Sequence, residues 1–276
     1  MVNSKTLTLH FNEKPYYITF PLLDAAKVVK HAFTTRLGGV SEGMYGEMNM
    51  SFTNGDRREA VLQNYKLIFE AIGADVNKAV LSHQTHTNNV RIVSEDDIGK
   101  GIFKDRDYDD VDGLITNIPG VSLVTQYADC TPLLFCDPVK KVVATSHAGW
   151  RGTASEIGRI TVEKMQNHFG SDPSDIIAAI GPSIGQCCYE VDDPVYIPLS
   201  KIPYLNKDKI FIKKDNGRYM LDLWETNREI LINAGLKAEH IDVTDLCTNC
   251  HHDVFHSHRF TGGKRGNLAA VISLSE

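Results

Sequence analysis

DVDGLITNIPGVSLVTQYADCTPLLFCDPVKKVVATSHAGWRG, residues Asp110–Gly152, holds three short apolar runs, Val121–Thr125, Pro132–Cys136 and Val142–Ser146. Each has strand length and β-branched or aromatic content, and turn residues bound each one. Polar groups stand where the runs begin or end. Asp129 and Cys130 precede the second, and His147 followed by Gly149-Trp150-Arg151-Gly152 ends the third. A thiol, an imidazole and a guanidinium delivered to strand ends by a rigid sheet make a candidate site. Taken singly, Cys130 and His147 read as ordinary interior residues; taken with the glycines and Arg151 they favour a site.

Outward from this centre the pattern is mixed. Leu7–Phe11 and Tyr16–Phe20 read as a hairpin across Asn12-Glu13-Lys14-Pro15. His31–Arg36 is a strand that runs into a loop with glycines at 38, 39 and 43, whose backbone is free to approach a ligand closely. Asp56–Ile72 is a helix capped by Asp56, and Gly73 stops it. Ala79–Leu81 leads into the polar cluster Ser82–Asn88, where extended backbone lets only one of His83 and His86 point inward. The acidic Glu95–Asp110 reads as an exposed, mobile loop. Helices follow at Thr153–Phe169, Asp192–Leu199 and Leu221–Ala234, and strands at Ile176–Ile180, Ile241–Thr244 and Leu268–Leu274. There is no repeat and no linker, so residues 1–276 are taken as one domain.

Composition excludes several classes. The chain of 276 residues is 42% hydrophobic and 23% charged, with a net charge of −6, so no basic field invites nucleic acid or an anionic membrane. No apolar run approaches the ~20 residues that span a bilayer. The N-terminus lacks the layout of a signal peptide, and a cytoplasmic location is expected. Reduced thiols are then the default for the six cysteines at 130, 136, 187, 188, 247 and 250. That leaves metal ligation or catalysis as their chemical uses.

Thiolate and imidazole together suit Zn²⁺, and three protein ligands leave a fourth position open. Cys130 and His147 bracket two strands and can share one sheet end, with the Ser82–His86 cluster the best-placed source of a third ligand. Cys247-Thr248-Asn249-Cys250 lacks the partner spacing of a zinc finger, which favours packing or a substrate-facing loop over a second zinc there. The block from His147 to Gly152 passes from strand to helix. Free N–H groups at the helix start, with Arg151 as a bidentate donor, suit a phosphate. The rival is a cysteine hydrolase with Cys130 as nucleophile and His147 as base.

Ala128-Asp129-Cys130, the His147–Gly152 block, Asp112-Gly113-Leu114, Gly181-Pro182-Ser183-Ile184-Gly185 and Phe33–Arg36 with Gly38–Ser41 together resemble the laccase-domain, or multicopper polyphenol oxidoreductase, family in its bacterial YlmD/YfiH type. The resemblance implies an α+β fold, a layered α/β/β/α sandwich akin to the cytotoxic necrotizing factor catalytic domain. It implies metal ligands His86, Cys130 and His147, with His86 chosen over His83 by the family's Gln-x-His pattern through Gln84. It implies a zinc-containing purine nucleoside phosphorylase acting on inosine, adenosine and methylthioadenosine with phosphate, plus adenosine deaminase activity. Copper-dependent oxidation is the older label, and nothing in the sequence supplies a four-copper cluster. Catalytic roles are expected for His86, Asp129, Cys130 and His147, and substrate contacts for Arg36, Arg151 and Arg259. The partners expected are purine nucleosides and phosphate; oligomeric state is open.

Overall fold

The computed structural model describes residues 2–276, and two six-stranded sheets organise them. The first runs Thr8–His10, Tyr17–Thr19, Val29–Thr34, Leu268–Leu274, Ser122–Tyr127, Ala79–Leu81. The second runs Ile241–Val243, Ile177–Ile180, Thr131–Asp137, Val142–Ala148, Gly113–Thr116, Val90–Ile92. The three apolar runs at the centre of the sequence do form strands, but they divide between the sheets. Ser122–Tyr127 joins the first, while Thr131–Asp137 and Val142–Ala148 pair antiparallel in the second.

Strands buried on both faces read as continuous apolar runs rather than as alternation. Thr131–Asp137, Val142–Ala148 and Leu268–Leu274 are buried at every residue. Their inward side chains build the inter-sheet core, where Phe33, Leu123, Ala270 and Ile272 meet Leu114, Leu134, Cys136 and Val143. Helix Arg58–Ala71 covers the outer face of the first sheet through Val61, Tyr65, Ile68 and Phe69. Helices Ile157–Phe169 and Leu223–Asn233 cover the second through Ile157, Val162, Met165 and Leu231. At ~25 cal/mol per Å² of apolar surface, each fully buried Leu, Ile or Phe contributes roughly 1.5–3 kcal/mol. A buried polar seam crosses the core: Thr125 and Thr145 hydroxyls meet at 2.7 Å, and the Tyr127 hydroxyl donates to Thr125.

Several expectations are corrected. Asp56 does not cap helix Arg58–Ala71. Arg57 occupies the cap position, and the Asp56 carboxylate accepts instead from Arg57 N–H and Asn49. The helix expected over Thr153–Phe169 is two: Trp150–Ala154, then Ile157–Phe169 after a break at Glu156 with φ 56°. A third sheet of Glu190–Val191, Tyr219–Leu221 and Phe211–Lys213 has no counterpart in the sequence reading. In the glycine loop after Arg36, Gly39 packs against protein, where a Cβ would lie 2.4 Å from the Glu47 carbonyl, while Gly43 has open space around it.

The Glu95–Asp110 stretch is anchored, not free. Ile102 and Tyr108 are buried, and the Tyr108 hydroxyl donates to the Leu81 carbonyl. Asp97 is also buried and accepts from Arg91, from Lys100 and from Ser94 N–H. Burial alone would raise the carboxyl, but these donors outweigh it and hold Asp97 at about 2. A folded-state value below the unfolded one gives stability that is complete above the ordinary aspartate range and lost as pH falls through the folded value. Thermal unfolding of Asp97→Asn should show a loss on the order of 3 kcal/mol at neutral pH, as expected when one partner of a buried ion pair is removed. Between about pH 4 and pH 2 the variant's melting temperature should fall less steeply than the wild type's. Parallel acid limbs would remove Asp97 from that account.

Candidate metal centre and active site

His86, Cys130 and His147 come from three segments and meet at one end of the sandwich, their ligand atoms all within 4.8 Å of one another. His147 closes strand Val142–Ala148, directly opposite Pro132 in the neighbouring strand, so Cys130 falls just beyond the same end. His86 arrives on a loop held as an extra strand. The Gln84 side chain accepts the backbone N–H of Gln126 at 2.7 Å and donates to its carbonyl at 2.7 Å, taking the part a paired backbone would. The Gln-x-His spacing thereby acquires a physical reason. His83 stands outside this cluster, its Nδ1 3.0 Å from Asp109 at another part of the cavity wall.

Asp112 governs the geometry, and the sequence reading gave it no role. Its carboxylate is fully buried and accepts from the N–H groups of Thr85, His86 and Thr87 at 2.9, 3.1 and 2.9 Å and from His147 Nδ1 at 2.7 Å. That bond turns His147 Nε2 towards Cys130 and leaves it the candidate ligand atom, as in the usual carboxylate–histidine support of a metal site. His86 takes φ 68°, the left-handed region rare for a residue with a Cβ. The His86 and His147 rings meet edge to face at 4.9 Å, and His86 Nε2 lies 3.8 Å from Cys130 Sγ. Gly149 permits the approach: a Cβ there would stand 3.0 Å from Cys130 Sγ and 3.0 Å from His86 Cδ2.

The electrostatics suit the same purpose. Burial pushes the Cys130 thiol up, but the charge of His147 and hydrogen bonds from His147 and His86 outweigh it and bring the thiol below its usual range. Burial lowers His147 in turn, and the Cys130 thiolate and Asp112 lift it above the usual imidazole range. A thiol poised to ionise beside two imidazoles, one fixed by a carboxylate, is an N₂S donor set that fits a zinc-class ion with an open fourth position.

These ligands open onto a cavity of about 740 Å³ lined also by Gln84, Arg106, Trp150, Arg151, Tyr189 and Arg265. Of the expected substrate contacts, Arg151 and Arg259 line it. Arg151 rests over the Trp150 ring at 4.3 Å, and Arg259 donates to the Cys188 carbonyl at 3.1 Å. Arg36 is not among the lining residues: its guanidinium donates to the carbonyls of Gly46 and His252, which joins two loops. Asp129 lines the cavity, but its carboxylate is occupied, accepting from Thr248, Ser257 and the N–H of Arg259 at 2.6, 3.1 and 2.6 Å. It is therefore placed to hold that loop rather than a sugar.

Like Arg106, which donates to the Ser82 carbonyl at 2.6 Å, Arg265 is a cavity cation that the sequence reading missed. Its Nε is buried without a partner, and its other nitrogens reach the Gly266 carbonyl, Asn267 and His258 but no carboxylate. Burial pulls its guanidinium below the usual arginine range, with Asp129 and Cys130 opposing. The signal available in sequence was slight, an arginine between Gly263 and Gly266.

Asp112→Asn removes the charge that orients His147 while keeping the side chain's size. Its metal affinity, measured by competition with a chelator, should fall about 10- to 100-fold, with the far-ultraviolet spectrum retained. Unaltered affinity would deny Asp112 the supporting role.

Residues 30–275 match the family described as multi-copper polyphenol oxidoreductase laccase. Among proteins of similar sequence, the purine nucleoside phosphorylase YlmD of Bacillus subtilis (strain 168) is 40% identical over 254 residues, covering 91% of this chain and 90% of that one. Adenosine deaminase RL5, from an unknown prokaryotic organism, is 34% identical and covers 91% of this chain and 97% of its own. The crystal structure of the hypothetical protein YfiH of Bacillus licheniformis superposes with a TM-score of 0.91 at 35% identity, over 97% of this chain and 99% of that one. Since the matched span runs from the third strand to the last and contains every residue of the site, the chain belongs to the multi-copper polyphenol oxidoreductase laccase family.

Proposed function

We propose that the protein is a purine nucleoside phosphorylase, cleaving the glycosidic bond of inosine, adenosine or methylthioadenosine with phosphate, with adenosine deamination as a second activity. The observation that carries the reading is Arg265, a half-buried guanidinium whose Nε is enclosed without a partner and which pairs with no carboxylate, in the same cavity as His86, Cys130 and His147. A cation held in that way calls for an anionic ligand. The names of the B. subtilis relative and of RL5 agree with the two activities.

The sequence reading gave the phosphate to Arg151 and the helix start behind it. Helix Trp150–Ala154 is a short turn, and the exposed Arg151 leans on Trp150, which favours Arg265 as principal anion donor and Arg151 as a contact at the rim. Tyr189, whose phenol burial holds neutral, offers a donor and an aromatic face to the nucleoside. Phosphorolysis requires the anion in line with the anomeric carbon and charge complementarity for an oxocarbenium-like state. His86, Cys130 and His147 would hold the metal, which supplies Lewis-acid polarisation when bound. Zinc suits the donor set, and copper, which the family's name suggests, would find one three-ligand site in these residues. Asp112 keeps the imidazoles in register throughout.

Incubation of the purified enzyme with inosine, with and without phosphate, tests the reaction class. Hypoxanthine and ribose 1-phosphate are expected only with phosphate. Equal release of base in both would mean hydrolysis, and with an alkylatable Cys130 would favour the cysteine hydrolase. Oxygen uptake with phenols would favour the oxidase.

The arginines are separated by kinetics. Loss of a charge-assisted pair costs roughly 1.5–3 kcal/mol, so Arg265→Ala should raise the KM for phosphate about tenfold or more. Arg151→Ala should raise it less. The opposite order would return the anion to Arg151.

A further inference from the structure

Beyond the cavity, the sulfur atoms of Cys187, Cys188, Cys247 and Cys250 also lie within 4.8 Å of one another. In the sequence the CxxC at 247–250 stands alone, because the two thiols that complete it belong to a distant segment. The fold brings the segments side by side. Ser183 and Cys247 form a parallel bridge, and Thr248 N–H donates to the Ser183 carbonyl at 3.0 Å. The chain then turns at Gly185, whose carbonyl accepts the N–H groups of Cys188 and Tyr189. A Cβ on Gly185 would lie 3.0 Å from the Trp224 ring and 3.2 Å from the Cys247 Cβ, so the approach of the two loops depends on a glycine there.

The spacing of the thiols suits one ion. Cys250 Sγ stands 3.6 Å from Cys187 Sγ and 3.4 Å from Cys188 Sγ. A tetrahedral tetrathiolate with bonds of ~2.3 Å has sulfur–sulfur edges of about 3.8 Å, so the cluster needs only slight expansion. Cys247 Sγ accepts the Gly185 N–H at 3.2 Å, a donor of the kind that supports metal-bound thiolate. Cys250 touches two thiols but can form a disulfide with only one, whereas an ion at the centre uses all four. The neighbouring His252 is turned away, its ring stacked on Phe260 at 3.4 Å. An all-sulfur set selects a soft or borderline ion over magnesium or calcium, and four protein ligands leave no position open for substrate.

We infer that Cys187, Cys188, Cys247 and Cys250 bind a second, structural ion of the zinc class. The clip joins the segment that carries Tyr189 to the one that carries Thr248, whose hydroxyl holds Asp129, so it braces one wall of the cavity. The inference is independent of the reaction assigned to that cavity.

Metal analysis of protein purified without added metal or chelator should give about two ions per chain, with about one lost in Cys250→Ser and a different one lost in Cys130→Ser. Because removing a clip can unfold its loops, the deciding measurement uses Cys130→Ser, in which all four sulfurs remain. After exchange into cobalt, that variant should bind about one cobalt per chain and show the charge-transfer and d–d bands of a tetrahedral tetrathiolate. Adding Cys250→Ser should abolish the bands. Cys130→Ser protein that holds no metal and shows no such bands overturns the inference. So does a mass that reveals disulfides among these four cysteines in protein purified under reducing conditions.

Discussion

The buried carboxylate of Asp112 is the interaction on which the site depends. It sits just ahead of strand Gly113–Thr116 and takes hydrogen bonds from three successive backbone N–H groups of the His86 loop and from the ring of His147. Burial alone would raise it, but the His147 hydrogen bond and charge and the N–H groups of Thr85 and Thr87 hold it below the usual carboxylate range, so it stays charged. An ionised group in so dry a place is tolerated only because its acceptor positions are filled. The arrangement explains how a loop residue at a left-handed φ and a strand residue can be held to a common point: both are bound to one anion.

The sandwich makes that anchoring rigid. Gly113–Thr116 and Val142–Ala148 are paired in register, Gly113 opposite Ser146, so Asp112 and His147 cannot move apart without breaking the ladder. Gly113 itself is required there, since a Cβ would lie 2.7 Å from Ser146 Oγ. Beneath the site the Thr125–Thr145 hydroxyl pair and the Tyr127 hydroxyl tie the two sheets together through buried polar groups that satisfy one another. Large apolar cores on both sides of the second sheet then resist shear, and the ligand positions inherit that stiffness.

The opposite wall is assembled from loops, and its polar groups act chiefly on one another. Asp129, at φ 80°, fixes Thr248, Ser257 and the start of helix His258–Thr261, so the segment carrying Arg259 is held by the residue next to Cys130, a candidate metal ligand. Coupling between the donor set and the loop wall is thus built into adjacent positions of the chain. Arg265 enters this wall from the far end of the sequence, behind His258, half-buried and with its Nε enclosed without a partner.

The sequence by itself determined the strands that are buried on both faces, because continuous β-branched runs have few other ways to satisfy burial and backbone together. It determined the Cys130 and His147 pairing at one sheet end, because strand ends and turn residues are local. His86 was legible only through the resemblance, since neither helical nor strand periodicity chooses between His83 and His86. Tertiary structure alone decided the rest. Asp56 lost its cap role to contacts with Asn49; Arg36 and Asp129 turned out to bind the protein's own loops; and Glu95–Asp110 is pinned by the buried Asp97. Asp112 lies in a motif of the resemblance that says nothing of its role, and Arg265 and the meeting of Cys187 and Cys188 with Cys247 and Cys250 carry no local signature. A hydrogen-bond acceptor, a half-buried cation or a thiol acquires its role from the groups that long-range packing brings against it, and spacing along the chain does not encode that neighbourhood.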